Sequence, residues 1–377
     1  MKIITIEPTP SPNSMKIVLD TELPTGTSYN YKKADAETAP HPMSDLLNIK
    51  GVRGIYHVMN FMAVERVGNV AWESILADIQ AVINEESGET STEVEEATDD
   101  SYGEVYVHVQ TYKDIPLQVK VFDSESEERF GLSERFLKAM DAVHGAEVEN
   151  YILLRKWADY GIRYGEKTDI GKIIMQEIEA AYPEERLEEI IRGSKEGQQD
   201  VIQRGRKISI EEFDVDEWET RFHLLDQMPD PDMSDAPLLD FALQDEKMSI
   251  RRLATVYLGM IEDTAVIPYV EKALKDKSWA VRRTAGDCLS DLGFEGFEDA
   301  AIELLGDRNK LVRWRAAMFL YETGTEKALP ALKAVEEDPE FEVKLQIRMA
   351  IARISEGEQA QGSVWKQMTE ARVGLEE

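Results

Sequence analysis

Two small α+β modules followed by an all-α solenoid of two-helix units is the architecture this sequence predicts, and three observations carry the prediction. Asp245, Asp276, Asp307 and Asp338 recur at a constant interval (276 − 245, 307 − 276 and 338 − 307 all equal 31), which marks a repeat array. Upstream of the array, apolar residues alternate with polar ones at the period of strands rather than helices. Between the two strand-bearing regions lies an acidic stretch, Glu85 to Ser101, without apolar periodicity. The chain is therefore divided into a first α+β module over 1–86, an acidic linker over 87–101, a middle α+β module over 102–207, and a solenoid of about four to five units over 214–377.

In the first module, Ile3, Ile4 and Ile6, then Met15, Ile17 and Leu19, predict two strands separated by a turn at Pro8, Pro10 and Pro12. A helix from His41 to Ile49, two strands within Ile55 to Val67 broken near Asn60, and a helix carrying Trp72, Ile75, Leu76, Ile79, Val82 and Ile83 complete a β-β-α-β-β-α order. The middle module opens with a hairpin. Val105, Val107 and Val109 pair with Ile115, Leu117, Val119 and Val121 across a turn at Tyr112 to Asp114. A helix capped by Ser133 and running through Val143, a strand from Tyr151 to Trp157, and helices over Ile170 to Ala181 and Glu184 to Arg192 follow. In the array each unit reads as a first helix such as Ser278 to Leu292 and a second such as Asp299 to Leu305. Pro237, Pro268 and Pro330 mark first turns of second helices, where a missing N–H costs nothing. The unit around Trp218 to Leu243 has a degraded first half, and Ser363 to Arg372 is expected to cap the far end.

Composition excludes several function classes. With 74 acidic and 43 basic residues the formal charge is −31, which repels phosphate backbones and anionic lipid, and no run of Lys and Arg interleaved with aromatics stands out along the chain. Nucleic acid and membranes are accordingly not expected as partners. No apolar run reaches the ~18 residues of a membrane span, and three prolines stand near the start where a secretory signal needs an apolar core, so a cytoplasmic location is expected. Cys288 is the only cysteine, which rules out disulfides and multi-thiolate metal sites within one chain. His41, His57, His108, His144 and His223 show no metal-ligand spacing, and none of them follows His223 into the array to serve as a base for Cys288. Cys288 shares a column with Tyr257, Phe319 and Ala350 and reads as a packed core thiol.

The repeat segments IRRLATVYLGMIED (250–263), VRRTAGDCLSDLG (281–293) and VRWRAAMFLYETG (312–324) resemble short HEAT-like repeats of the phycobilisome-lyase type. TPSPNSMKIVL (9–19), SDLLNIKGVRGIYHVMNFMAVER (44–66) and the Trp72 helix resemble the N-terminal domain of Nfu/NifU scaffold proteins, with Asn60 where that family usually has Asp. With YKDIPLQVKVF (112–122) between them, the chain resembles the bacterial conserved virulence factor C family over essentially its whole length. The resemblance implies a multidomain α+β chain ending in a HEAT-like α-solenoid, and a regulatory role in virulence-related processes. Nfu scaffolds hold their cluster through a Cys-x-x-Cys in a separate domain, which this sequence lacks, so cluster assembly is not implied.

Two columns of the array invite a role. Arg251, Arg282 and Arg313 stand six residues after the aspartates and suggest an ion-pair ladder between units. The neighbouring column, Arg252, Arg283 and Trp314, is expected to be partly exposed and, with Trp279, forms the candidate protein-binding patch, because Trp and Arg dominate interface hot spots. No catalytic, cofactor-binding or metal residues are assigned. The expectation is a non-enzymatic cytoplasmic adaptor or scaffold for a protein partner, with an accessory role in iron–sulfur or metal handling as the alternative.

Overall fold

The computed structural model describes residues 1–9, 11–24, 27–67, 70–123 without 86–102, 125–144, 154–195 and 205–357. The acidic linker over 87–101 and the capping helix expected at Ser363 to Arg372 lie outside the described residues. The chain forms two compact units, one made of 1–104 with 301–377 and the other of 105–300.

The first unit contains a five-stranded antiparallel sheet of β1 (Ile3–Pro8), β2 (Ser14–Leu19), β3 (Ser28–Lys32), β4 (Val52–Val58) and β5 (Phe61–Arg66), in the order β1-β2-β5-β4-β3. α1 (Met43–Asn48) and α2 (Trp72–Glu85) pack on it through Leu46, Leu47, Trp72, Ile75 and Ile79 against Met15, Ile17, Ile55, Met62 and Val64. β3 was not expected. It is an edge strand with Tyr29 and Tyr31 stacked at 5.7 Å, and its largely exposed SYNYK sequence has no apolar face to signal a strand. In the same unit the Ser11 to Ser14 turn is braced by the indole N–H of Trp72, which donates to the Pro12 carbonyl at 2.8 Å, and by Arg66 Nε, which donates to Asn13 Oδ1 at 3.3 Å. Arg66 also stacks on Trp72 at 5.1 Å and pairs with Glu342 at 2.9 Å, both side chains being almost fully buried. Residues that carry the Nfu resemblance thus meet a helix of the repeats.

In the second unit β6 (Glu104–Tyr112), β7 (Ile115–Phe122), β8 (Glu127–Gly131) and β9 (Lys156–Tyr164) form a sheet in the order β8-β7-β6-β9. The hairpin turn is made by Lys113 and Asp114, both left-handed at φ 44° and 66°, the geometry that matches the twist of paired strands. α3 (Glu134–His144), α4 (Lys167–Ala181) and α5 (Glu184–Lys195) follow, and Phe136, Ala139, Ile170, Ile174, Ile178 and Leu187 cover the sheet face made by Val107, Val109, Val119 and Val121. β8 was unforeseen, since Glu127 to Gly131 (EERFG) is polar on its outer side. The strand expected from Tyr151 to Trp157 starts later, at Lys156, and 145–153 lie outside the described residues. Ser133 precedes α3, and its hydroxyl donates to Glu179 at 2.9 Å.

The helical array comprises a short α6 (Ile210–Phe213), then α7 (Trp218–Asp226), α8 (Ala236–Ala242), α9 (Met248–Gly259), α10 (Ile267–Ala273), α11 (Trp279–Leu292), α12 (Glu298–Leu304), α13 (Lys310–Thr323), α14 (Leu329–Ala334) and α15 (Phe341–Glu356). Pro237, Pro268 and Pro330 stand in the first turns of α8, α10 and α14 as their spacing predicts. The ladder joins neighbouring repeats. Arg251 Nε and Nη2 bind the two carboxylate oxygens of Asp276 at 2.7 and 3.1 Å, and Arg313 binds Asp338 likewise at 2.7 and 3.0 Å. The first unit of the array is not degraded at this position: Arg221 in α7 binds Asp245 in the same bidentate way, at 2.6 and 3.1 Å. It precedes Arg251 by 30 residues rather than 31, which hid it from the column alignment. Among the described residues no helix is long and apolar enough to cross a membrane.

Because Arg251 is nearly inaccessible to water, Asp276→Ala leaves a buried guanidinium without its partner and removes the acceptor for the Ser278 N–H. The expected loss is about 3–5 kcal/mol of unfolding free energy, against less than ~1 kcal/mol for removing the exposed Lys138–Glu134 pair. Urea denaturation of the two variants side by side measures the contrast, and equal midpoints would remove the ladder's architectural role.

Candidate functional site

The middle module meets the repeats along a seam of charged and aromatic side chains inside the second unit. β9 supplies Tyr160, Arg163 and Tyr164, α4 supplies Glu177, α9 supplies Arg252, and α11 supplies Arg283 and Asp287. In a regular strand consecutive side chains point to opposite faces. Gly161 interrupts that alternation in β9 with φ +84°, its N–H held by Asp159 Oδ1 at 2.8 Å, so that Tyr160, Arg163 and Tyr164 share one set of charged neighbours. A side chain at 161 would be strained in this conformation.

Arg283 is the best-held member. Its guanidinium lies 4.2 Å from the centre of the Tyr164 ring, Nη2 donates to the Tyr164 hydroxyl at 3.2 Å, and Nη1 pairs with Asp287 at 2.8 Å. Arg252 Nη2 stands 3.8 Å from Glu177 Oε2, a charge contact longer than a hydrogen bond, and Glu177 is only 1% exposed. Burial is the largest influence on Arg163, followed by repulsion from Arg252; Glu177 and Tyr160 oppose them, Arg283 adds to the repulsion, and the net effect pushes Arg163 down to about 10. The Tyr160 hydroxyl is pushed up by burial first, then by the negative charges of Glu177 and Asp226. Three guanidiniums within electrostatic reach of one another thus gather around Glu177 and Asp287, while Asp226, which acts on Tyr160, is paired with Arg186. The seam extends along α4 and α5: Arg186 stacks on Tyr182 at 3.9 Å and pairs with Asp226 at 3.1 Å, His223 Nδ1 lies 3.1 Å from the Ala181 carbonyl, and Lys247 donates to Gln176 at 2.9 Å.

The four residues chosen from the sequence are placed unevenly. Arg252 and Arg283 come together in the seam with side chains 17% and 14% exposed, and Trp279 is half-buried at the start of α11. Trp314, in the other unit, is 1% exposed, with the Arg315 guanidinium 5.0 Å from its ring. Arg252 and Arg283 are thus partly exposed, and the expectation of partial exposure is corrected at Trp314 alone. An indole can be enclosed without the cost of burying a charge, whereas Arg252 and Arg283 keep their charged heads partly in water. Arg163, Tyr160, Tyr164 and Glu177 escaped the sequence reading. The glycine inside an otherwise strand-like KWADYGIRY was the available signal for an irregular strand.

Cys288 is buried, with Sγ 3.2 Å from the Thr284 carbonyl and 3.4 Å from that of Thr255. α9 approaches so closely that a Cβ on Gly259 would lie 2.5 Å from this sulfur. Burial, reinforced by Asp287 and Asp291, pushes the thiol well above its usual range. An iron–sulfur cluster of the Nfu kind needs accessible thiolates, and this single shielded thiol does not fit one. Among the described residues no group of three or more His, Cys, Asp and Glu is placed to hold a metal ion.

Two outcomes follow from this geometry. In the native protein Cys288 should react negligibly with a thiol reagent at pH 8 and quantitatively after urea unfolding; rapid native labelling would contradict its burial. Arg163 has a folded-state pKa below its unfolded one, so the unfolded chain binds that proton more tightly. The charge therefore costs stability at all pH below about 10, and the cost fades as pH rises from there toward the unfolded value. Arg163→Met should leave the unfolding free energy at pH 7 unchanged or raise it by up to roughly 4 kcal/mol, measured by urea titration, and a clear decrease would refute the repulsive account.

Comparison with known proteins agrees with this module order. The N-terminal domain of scaffold protein Nfu/NifU matches 4–89, a virulence factor domain matches 110–191, and HEAT repeats match 235–299 and 272–352. An uncharacterized Bacillus subtilis protein, YpgR, is 50% identical over 99% of both chains. Conserved virulence factor C of Staphylococcus saprophyticus is 43% identical over 98% of both, and that of Staphylococcus aureus strain USA300 is 42% identical over 99% of this chain and 100% of its own. With an Nfu-like module, a virulence-factor module seated on HEAT repeats and identity sustained from end to end, the chain belongs to the conserved virulence factor C family.

Proposed function

We propose that the chain is a non-catalytic cytoplasmic adaptor that binds a protein partner along the first helices of its HEAT-like repeats, with Arg252, Trp279 and Arg283 at the contact. The observation that carries this reading is the excess of guanidinium in the seam: Arg163, Arg252 and Arg283 lie together with Glu177 and Asp287 as the acidic groups described beside them. Such a cluster is costly to hold in a free protein and is relieved by a partner's carboxylate, which an arginine fork binds in two-point fashion. Arg283 is held by Tyr164 and Asp287, so the two-point contact falls to Arg252, whose 3.8 Å approach to Glu177 is longer than a hydrogen bond. Trp314, being enclosed, is not part of the proposed contact.

Tagged full-length protein, crosslinked in living cells and isolated with its partners, tests the reading. A partner retained by the wild type should fall by roughly tenfold or more with Arg252→Glu and with Trp279→Ala, the effect of losing an interface hot spot. Equal recovery from wild type and both variants, with each variant folded by circular dichroism, would overturn the assignment of the contact to this face.

A further inference from the structure

The middle module's sheet has a second face, opposite the one covered by α3 and α4, and it is neither apolar nor acidic. Register aligns three rows across the strands: Tyr106 with Phe122, His108 with Lys120 and Arg129, and Gln110 with Gln118. Trp157 from β9 joins the second row. Lys120 Nζ lies 4.7 Å from the ring centres of both Phe122 and Trp157, and the Arg129 guanidinium lies 5.7 Å from Trp157. Tyr106 and Phe122 stack at 5.6 Å, while His108 meets Phe122 edge-on at 4.8 Å. Glu127 is the acidic side chain beside these cations, 2.7 Å from Arg129 and 4.0 Å from Lys120. In a chain of net charge −31, a patch where two permanent cations share one contacting carboxylate, Glu127, among four aromatic rings stands out in composition.

We propose that this face binds single-stranded RNA. An anionic peptide would use Lys120 and Arg129 but not four flat rings, whereas a single strand offers stackable bases and a phosphate at each step. Aromatic side chains on an open four-stranded sheet suit splayed bases, because every base has a π-face. The row beyond the aromatics supplies polar contacts: Gln118 Nε2 donates to Gln110 Oε1 at 2.8 Å, which leaves the Gln118 carbonyl and the Gln110 amide protons to meet ribose hydroxyls. The surrounding acidic protein confines the strand to this patch and keeps the affinity modest. The site was hidden in the linear sequence because its cations and rings lie on different strands, Lys120 and Phe122 on β7, Arg129 on β8, His108 on β6 and Trp157 on β9.

Fluorescence anisotropy of the full-length protein with labelled 12-residue oligouridylate and oligoadenylate, at about 20 to 200 mM salt, tests the assignment. Two phosphate contacts predict a slope of log affinity against log salt near −1.4, reduced by about 0.7 in Lys120→Ala or Arg129→Ala. Phe122→Leu and Trp157→Leu should each weaken binding about tenfold at unchanged salt slope. Lys138→Ala, on the exposed side of α3, serves as the folded control and should bind as the wild type. Absence of binding at 100 μM protein and 20 mM salt, a salt slope unchanged in Arg129→Ala, equal affinity for the corresponding oligodeoxynucleotide, or tighter binding of polyglutamate than of RNA would each overturn the proposal.

Discussion

At the start of each first helix in the array, an aspartate carboxylate ties together two levels of structure. One oxygen accepts the backbone N–H two residues on, at 2.8 Å for Lys247, 2.7 Å for Ser278, 2.8 Å for Asn309 and 2.9 Å for Glu340. In Asp245, Asp276 and Asp338 the same carboxylate receives a two-point guanidinium from the preceding repeat. That guanidinium spends its remaining nitrogen on carbonyls at the start of its own helix, as Arg251 does at Asp245 and Glu246. A helix entrance, a repeat spacing and an inter-repeat contact are thus fixed by one side-chain pair. Buried ion pairs of this kind add little to stability over an apolar replacement, but removing one partner is expensive, so they act on register. Every surface the helices present downstream depends on that register.

With the repeats so aligned, each small module attaches through an arginine. In the first unit Arg66 links the Pro12–Asn13 turn, Trp72 and Glu342 of α15. In the second, the direction is reversed: the repeats offer Arg252 and Arg283, and the middle module receives them with Glu177 and Tyr164. Arginine suits both joints because its plane stacks on an aromatic ring while its edge donates to oxygen, a combination lysine cannot supply. In these joints the positive charge of an acidic chain serves its interior contacts, consistent with a formal surplus of acid that says little about any one face.

What was legible in the sequence divides along the same physical line. The period of 31, the proline-marked second helices and the Val105 to Val121 hairpin were readable because burial imposes a repeating pattern on consecutive residues. β3 and β8 were not, since an edge strand with little or nothing to bury leaves no such pattern. Arg221 was concealed by a one-residue offset, and the array tolerates the offset because a long side chain still reaches Asp245. Partial exposure of the Arg252, Arg283 and Trp314 column was expected from the exchange of Arg for Trp; Trp314 is enclosed instead, and much of what covers Arg252 and Arg283 is contributed by β9 and α4, well over fifty residues away in sequence. Composition at a position reports the chemistry it tolerates, not which distant element closes over it.

The same separation between local pattern and assembled surface explains why the middle sheet looks different from its two sides. Its inner face is written as uninterrupted alternation, Val105, Val107, Val109 against Leu117, Val119, Val121, because a hydrophobic core requires only that each position be apolar. Its outer face occupies the intervening positions, where Tyr106, His108, Gln110, Gln118, Lys120 and Phe122 have no hydrophobic requirement to meet. A merely solvated face in this chain would be expected to share its acidic bias, since acids outnumber bases 74 to 43. Aromatic rings at half-exposed positions carry a solvation cost that such a face could avoid with threonine or glutamate. Placing rings there on three strands and cations on two gives the sheet a surface with specific chemistry, on the side the core does not need.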